Sequence, residues 1–272
     1  MANLILRSAK MFKTLVIFLD KIFFKGFLVQ TKITLNHKKY LKKINLNNDY
    51  VIKIYHPKDR NNILAKLADE YGSDKGEVSP KKQPYPWKSH TYTDYYALIF
   101  SNCRNDIKLL FECGIGTNNP NLISSMGADG KPGASLNMWA DFFPNASIYA
   151  GDIDKNILIN KGRIKSFFID QLNCETIKNF WKLVNKSNFD IMIDDGLHTF
   201  DAGICLFENS ISKLSRSGYY FIEDVHINDM VKYNEYFENK DYDVKVIMLE
   251  RPKTELSDNN IIQIRHKNHS QI

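Results

Sequence analysis

Two stretches of the chain run from apolar residues into paired acids: Asp190-Ile-Met-Ile-Asp194-Asp195-Gly196-Leu197-His198 and Tyr219-Tyr-Phe-Ile-Glu223-Asp224. Apolar runs of this length read as buried strands of a parallel sheet. Ligands in open α/β sheets bind just beyond the carboxyl ends of such strands. Four carboxylates and an imidazole at two strand tips are costly to gather unless a cation or substrate sits among them. The pattern implies an enzyme that uses a divalent cation. Carboxylate oxygens suit Mg²⁺, Ca²⁺ or Mn²⁺ better than zinc, and no cysteine or second histidine accompanies them. His198 lies three residues beyond Asp195, within reach of the same bound group, and an imidazole titrating near neutrality suits a general base. The competing reading of His198 is a loop or capping histidine bonded to backbone. Asp194 suits support of the strand end or the cofactor side.

A second constellation follows an earlier strand, in Phe111-Glu112-Cys113-Gly114-Ile115-Gly116-Thr117. Glycines directly after a strand let the backbone approach a ligand closely. The full dinucleotide fingerprint is absent, because Asn119 stands where its third glycine would be. The next strand, Ile148-Tyr-Ala-Gly-Asp152, ends in a carboxylate placed to accept hydrogen bonds from ribose hydroxyls. Asp154 could serve instead, or start a helix. The third strand ends in Asp170-Gln171, placed to bond an adenine amino group. Asp is also a good helix N-cap, which is the structural alternative for Asp152 and Asp170.

These tips need a scaffold, and from Lys108 onward the chain alternates between strand and helix patterns. Strands are predicted at Lys108–Cys113, Ser147–Asp152, Ser166–Ile169, Asp190–Asp194 and Tyr219–Glu223. Two more, Asp243–Leu249 and Asn260–Arg265, form a closing hairpin. Helices are predicted at Asn62–Tyr71, Thr93–Cys103, Ala134–Phe143, Lys155–Asn160, Cys174–Val184, Phe200–Leu214 and Ile227–Lys240. The fold class is α/β: a Rossmann-like, doubly wound, seven-stranded sheet, mostly parallel with a C-terminal antiparallel hairpin. An N-terminal helical extension precedes it. The expected divisions are 1–60, an amphipathic helix and basic linker; 61–107, a helical cap with a loop; and 108–272, the core.

The 272 residues, 43% hydrophobic and 25% charged, suit one large soluble domain with an extension. The net charge of +6 is mild and gathers in the lysine-rich region around Lys38, Lys39, Lys42 and Lys43. No basic stripe interleaved with aromatics appears, which argues against a nucleic-acid partner. Four cysteines without metal-ligand spacing fit reduced thiols in the cytoplasm. Met11 to Val29 is amphipathic rather than membrane-spanning. It suits a helix packed on the domain or on another subunit of a homo-oligomer, or one lying peripherally at the inner membrane face.

Together these residues resemble the class I S-adenosylmethionine-dependent methyltransferases, and more narrowly the metal-dependent O-methyltransferases of macrolide-linked and bacterial surface sugars. The matching pieces are Tyr71-Gly-Ser73-Asp74-Lys75-Gly76, His90-Thr-Tyr92, Glu112-Cys-Gly114-Ile-Gly116 and Gly133-Ala-Ser135-Leu-Asn-Met-Trp139. They continue through Phe143-Pro144, Asp152, Asp170-Gln171, Asp194-Asp195-Gly196-Leu-His198 and Ile222-Glu223-Asp224. The resemblance covers roughly Ala65 to Val225. It implies Mg²⁺ held by Asp195, Glu223 and Asp224, with His198 as base and Asp195 beside it in catalysis. It also implies S-adenosylmethionine covered by Ser73 and Asp74, over a pocket including Glu112, Gly114, Gly116, Asp152, Asp170, Gln171 and Asp194. Two departures stand out: a long loop from Asn118 to Pro132, and Leu197 in place of a small polar residue before the histidine.

The acceptor implied is a sugar, nucleotide-sugar or glycoconjugate hydroxyl, as in carbohydrate modification or polysaccharide biosynthesis. Two other readings compete. A nucleotide-dependent oxidoreductase could use the same kind of sheet, but the glycine fingerprint is incomplete. A membrane-associated, non-catalytic binding protein would not need Asp195, His198, Glu223 and Asp224 together.

Overall fold

The computed structural model describes residues 51–55, 57–79, 83–251 and 256–267. The amphipathic stretch Met11–Val29 and the linker after it lie outside the described residues. Among the described residues, no helix is long and apolar enough to cross a membrane.

The strands are β1 (Val51–Tyr55), β2 (Leu109–Cys113), β3 (Ser147–Asp152), β4 (Asn160–Lys161), β5 (Ile164–Phe168), β6 (Phe189–Asp194), β7 (Leu214–Ile222), β8 (Tyr242–Glu250) and β9 (Asn260–His266). They form one sheet in the order β1-β8-β9-β7-β6-β2-β3-β5-β4. Pairing is parallel throughout the centre, while β9 runs antiparallel to both β7 and β8. All seven expected strands are present, and β1 and β4 extend the sheet at its two edges. Val51–Tyr55, grouped by sequence with the N-terminal segment, instead pairs in parallel with β8.

Six α-helices accompany the sheet among the described residues: α1 (Ile63–Tyr71), α2 (Tyr92–Phe100), α3 (Ala134–Phe142), α4 (Cys174–Val184), α5 (Phe200–Ser210) and α6 (Met230–Phe237). Each strand residue faces the opposite side from its neighbour, and this alternation builds two cores. Leu110 joins Tyr96, Leu136 and Phe221 in the core beneath α1, α2 and α3. Phe111 turns the other way, against Phe180 and Trp181 of α4. α4 is the clearest local success of its sequence. Asn173 caps it by accepting from the Glu175 and Thr176 amides, and its apolar stripe Ile177-Phe180-Trp181-Val184 is buried. The helix expected at Lys155–Asn160 is only a 3₁₀ turn at Lys155–Ile157, begun by Asp154 and ended by the short strand β4.

Register decides which residues meet at the site. Cys113 lies opposite both Gly151 and Asp194, and Asp194 lies opposite Ile222. The residues that follow, Gly114, Asp152, Asp195 and Glu223, therefore leave the sheet at one level on adjacent strands.

Candidate active site

Around these tips lies a cavity of about 460 Å³, lined by the glycine turn, the ends of β3 and β5, residues 195–198 and Asp224. Residues 73–75, Trp87, Lys88 and His90 also line it. Gly114 and Gly116 have φ of 87° and 77°, in the left-handed region that glycine favours. A Cβ on Gly114 would stand 1.9 Å from the Asp195 carbonyl oxygen, so the turn packs directly against the neighbouring tip.

Asp152 accepts from the Ile115 amide at 2.9 Å and the Asp154 amide at 2.8 Å, which fixes the glycine turn while the residue lines the cavity. Asp154 accepts from Thr117 and starts the 3₁₀ turn, so the helix-start role falls to Asp154. Asp170 also lines the cavity, with one oxygen accepting from the Leu172 amide. Gln171 is committed at both ends: its amide donates to Asp194 at 2.6 Å, and its oxygen accepts from the Leu197 amide at 2.8 Å. It thus ties the end of β5 to the loop carrying His198 while also lining the cavity.

Asp195, His198 and Asp224 come together. His198 Nε2 lies 3.4 Å from Asp195 Oδ1 and 3.5 Å from Asp224 Oδ2. The ligand atoms of all three lie within 4.8 Å of one another, a spacing and donor set that fit a divalent cation. The backbones of His198 and Asp224 have φ of 57° and 52°, uncommon for non-glycine residues and concentrated at functional sites. The helix cap beside His198 is Thr199, which accepts from the Ala202 amide, so His198 does not cap. Burial disfavours the imidazolium, but Asp224 and Asp195 outweigh it and raise the His198 pKa to about 10. Burial likewise opposes ionised Asp224, yet His90 and His198 hold its carboxyl well below the usual range.

Three residues expected at the ligands lie behind the cavity wall instead. Glu112 is fully buried and accepts from Ser135 at 2.8 Å. Asp194 turns away toward Gln171 and Gly196, and burial lifts its carboxyl to about 6. Glu223 accepts from the Tyr96 hydroxyl at 2.5 Å and from Lys75. Side chains alternate at a strand end, so one of two consecutive acids faces the ligand and the other the interior.

Lys75 carries no assigned role in the sequence, and His90, Tyr92 and Tyr96 read there either as core aromatics or as lining of a cofactor or sugar pocket. The structure sets them on the carboxylates. Lys75 Nζ lies 2.7 Å from Asp195 Oδ2 and 3.2 Å from Glu112 Oε1, besides its bond to Glu223. His90 Nε2 is 2.9 Å from Asp224 Oδ1 and 3.6 Å from Asp258 Oδ1. Tyr92 donates its hydroxyl to Asp224 at 3.2 Å and accepts from the Asp224 amide at 3.0 Å. The signal available in sequence was their membership of the Ser-Asp-Lys and His-Thr-Tyr elements; spacing carried none.

No protein-family model matches the chain. Among curated proteins it is 28% identical over 164 residues to the 8-demethyl-8-alpha-L-rhamnosyl tetracenomycin-C 2'-O-methyltransferase of Streptomyces olivaceus, covering 60% of this chain and 37% of that protein. It is 30% identical over 137 residues to the mycinamicin VI 2''-O-methyltransferase of Micromonospora griseorubida, covering 50% and 32%. The matched stretch thus spans less than two fifths of either relative. Among solved structures, the MycE methyltransferase in complex with Mg, SAH and mycinamycin VI superposes with a TM-score of 0.55 at 20% identity, over 77% of this chain and 56% of that one. The fold is that of the class I methyltransferases. In sequence, the chain resembles sugar O-methyltransferases.

Proposed function

We propose that the protein transfers the methyl group of S-adenosylmethionine to a hydroxyl of a sugar or glycoconjugate, with a divalent cation and with His198 as general base. The observation that carries this reading is the meeting of His198, Asp195 and Asp224 at the edge of the cavity into which the glycine turn opens. The names of the sequence relatives support the acceptor class, since both are O-methyltransferases and one is named for a rhamnosyl compound.

Methyl transfer from a sulfonium is an in-line displacement: the acceptor oxygen forms a bond to the methyl carbon as the carbon–sulfur bond breaks. The chain must therefore hold two groups in line and remove one proton. Gly114 and Gly116 give the cofactor close access to backbone, and Asp152 and Asp170 offer carboxylate oxygens along the same wall. Ser73 and Asp74 cover it from the cap. Asp195 and Asp224 would hold the cation, which lowers the acceptor hydroxyl's pKa and offsets the charges that favour a protonated His198. His198 takes the hydroxyl proton at Nε2, the nitrogen facing both carboxylates.

The test is incubation with methyl-labelled S-adenosylmethionine and a panel of rhamnosyl glycosides and nucleotide-sugars. A methyl ether should form with Mg²⁺, and chelation should suppress it until Mg²⁺ is restored. Transfer undiminished by chelation would contradict the metal-assisted reading.

A further inference from the structure

Lys75 is the least expected feature of the site. Its side chain is only 2% exposed, and its ammonium stands among Glu112, Asp195 and Glu223, two of them wholly enclosed. These carboxylates come from the tips of β2, β6 and β7, three neighbouring strands at the sheet centre. Lys75 itself comes from the cap, 120 residues before Asp195. Asp195 is shared: Oδ2 meets Lys75, whereas Oδ1 faces His198 and the candidate cation position.

The same segment also forms the cofactor cover. Ser73, Asp74 and Lys75 line the cavity in succession. The Asp74 and Lys75 carbonyls accept from the His90 amide at 2.8 Å and the Thr93 amide at 3.0 Å. Gly76 packs so closely on Thr93 that a Cβ would stand 1.8 Å from its hydroxyl oxygen. The loop that carries Ser73 and Asp74 thus has little slack: it is pinned to the start of α2 on one side and to the strand-tip carboxylates, through Lys75, on the other.

We propose that Lys75 is a positioning residue that couples the two halves of the site, fixing the Ser73–Asp74 cover over the cofactor cavity and holding Asp195 with one oxygen turned toward the cation. This rests on the functional reading above. A change at either end is transmitted through one side chain: closing the cover seats the ammonium, and the seated ammonium presets Asp195 for the cation. Such coupling is reciprocal, so each ligand must tighten the other by the same factor.

The experiment is calorimetry of S-adenosylhomocysteine with and without saturating Mg²⁺, on the full chain and on Lys75→Met and Lys75→Arg. In the unaltered protein Mg²⁺ should tighten S-adenosylhomocysteine by roughly tenfold, within the usual range for coupled sites. Lys75→Met should bring that factor to about one, and Lys75→Arg, which keeps the charge, should restore part of it. A merely structural lysine would lower thermal stability in Lys75→Met yet leave the coupling factor intact, which overturns the proposal. Where Lys75→Met does not fold, the pair Lys75→Met with Glu223→Gln removes one charge of each sign and carries the same expectation. Binding of both ligands without coupling in the unaltered protein overturns the Lys75 assignment alone. Folded protein that takes up no S-adenosylhomocysteine overturns the methyltransferase reading with it.

Discussion

At the scale of the residue, the proposed reaction gives proton removal to His198, so His198→Ala should lower methyl transfer by roughly 10²–10⁴-fold while leaving S-adenosylhomocysteine affinity unchanged. Equal loss of affinity would instead make His198 part of the cofactor wall. Asp194 has a different consequence. One of its oxygens is buried without a hydrogen-bond partner, and burial raises its carboxyl from the ordinary 3.8 to about 6. In the unfolded chain it ionises first, so its contribution to stability falls as pH rises from about 4 to about 6, and the loss is complete above that. Asp194→Asn removes that penalty and should gain on the order of 3 kcal/mol over the unaltered protein at pH 7, but little at pH 4. Denaturant unfolding at both pH values checks this; a gain independent of pH would contradict it. Asp195, His198 and Asp224 were legible in sequence because acids that end apolar runs must surface at strand tips. Asp194 and Glu223 have the same signature but face inward, and no strand-end pattern says which of two adjacent acids turns to the ligand; Glu112, inside β2, is buried too. Glu223 takes its partner Lys75 from 148 residues away, and a lysine in a polar loop looks solvated until the fold closes over it.

At the scale of the element, the β2–α3 connection and the end of β6 are one packed unit. Gly114→Ala would force an L-residue to φ of 87° and set a Cβ against the Asp195 carbonyl. The expected cost is on the order of 3 kcal/mol, with weaker Mg²⁺ binding because Asp195 must move. Thermal unfolding and Mg²⁺ titration of that variant would show unchanged values if the turn were free to shift. The seven main strands were legible because each is a short apolar run bounded by turn residues and separated by helical spacing. β1 was not: Val51-Ile-Lys-Ile-Tyr55 is brief, only partly buried, and follows a lysine-rich stretch, so its place beside β8 depends on a partner nearly two hundred residues later. The 3₁₀ turn after β3 was overread as a helix because Asp154 caps equally well whether one turn or several follow it.

At the scale of the whole described sheet, distant tips are brought to one level, and residues 75–96 are fastened to those tips. Lys75, His90, Tyr92 and Tyr96 all descend from residues 75–96 onto Glu112, Asp195, Glu223 and Asp224. Cofactor cavity and candidate cation position therefore share a roof as well as a floor. A methyltransferase and a dinucleotide-dependent enzyme on a similar sheet differ in the ligand this cavity would take. The most direct measurement is a calorimetric titration of the purified full chain with S-adenosylhomocysteine and, separately, with NAD. The expected result is saturable one-to-one binding of S-adenosylhomocysteine and no heat of binding from NAD. Folded protein that binds NAD, or neither compound, would contradict it.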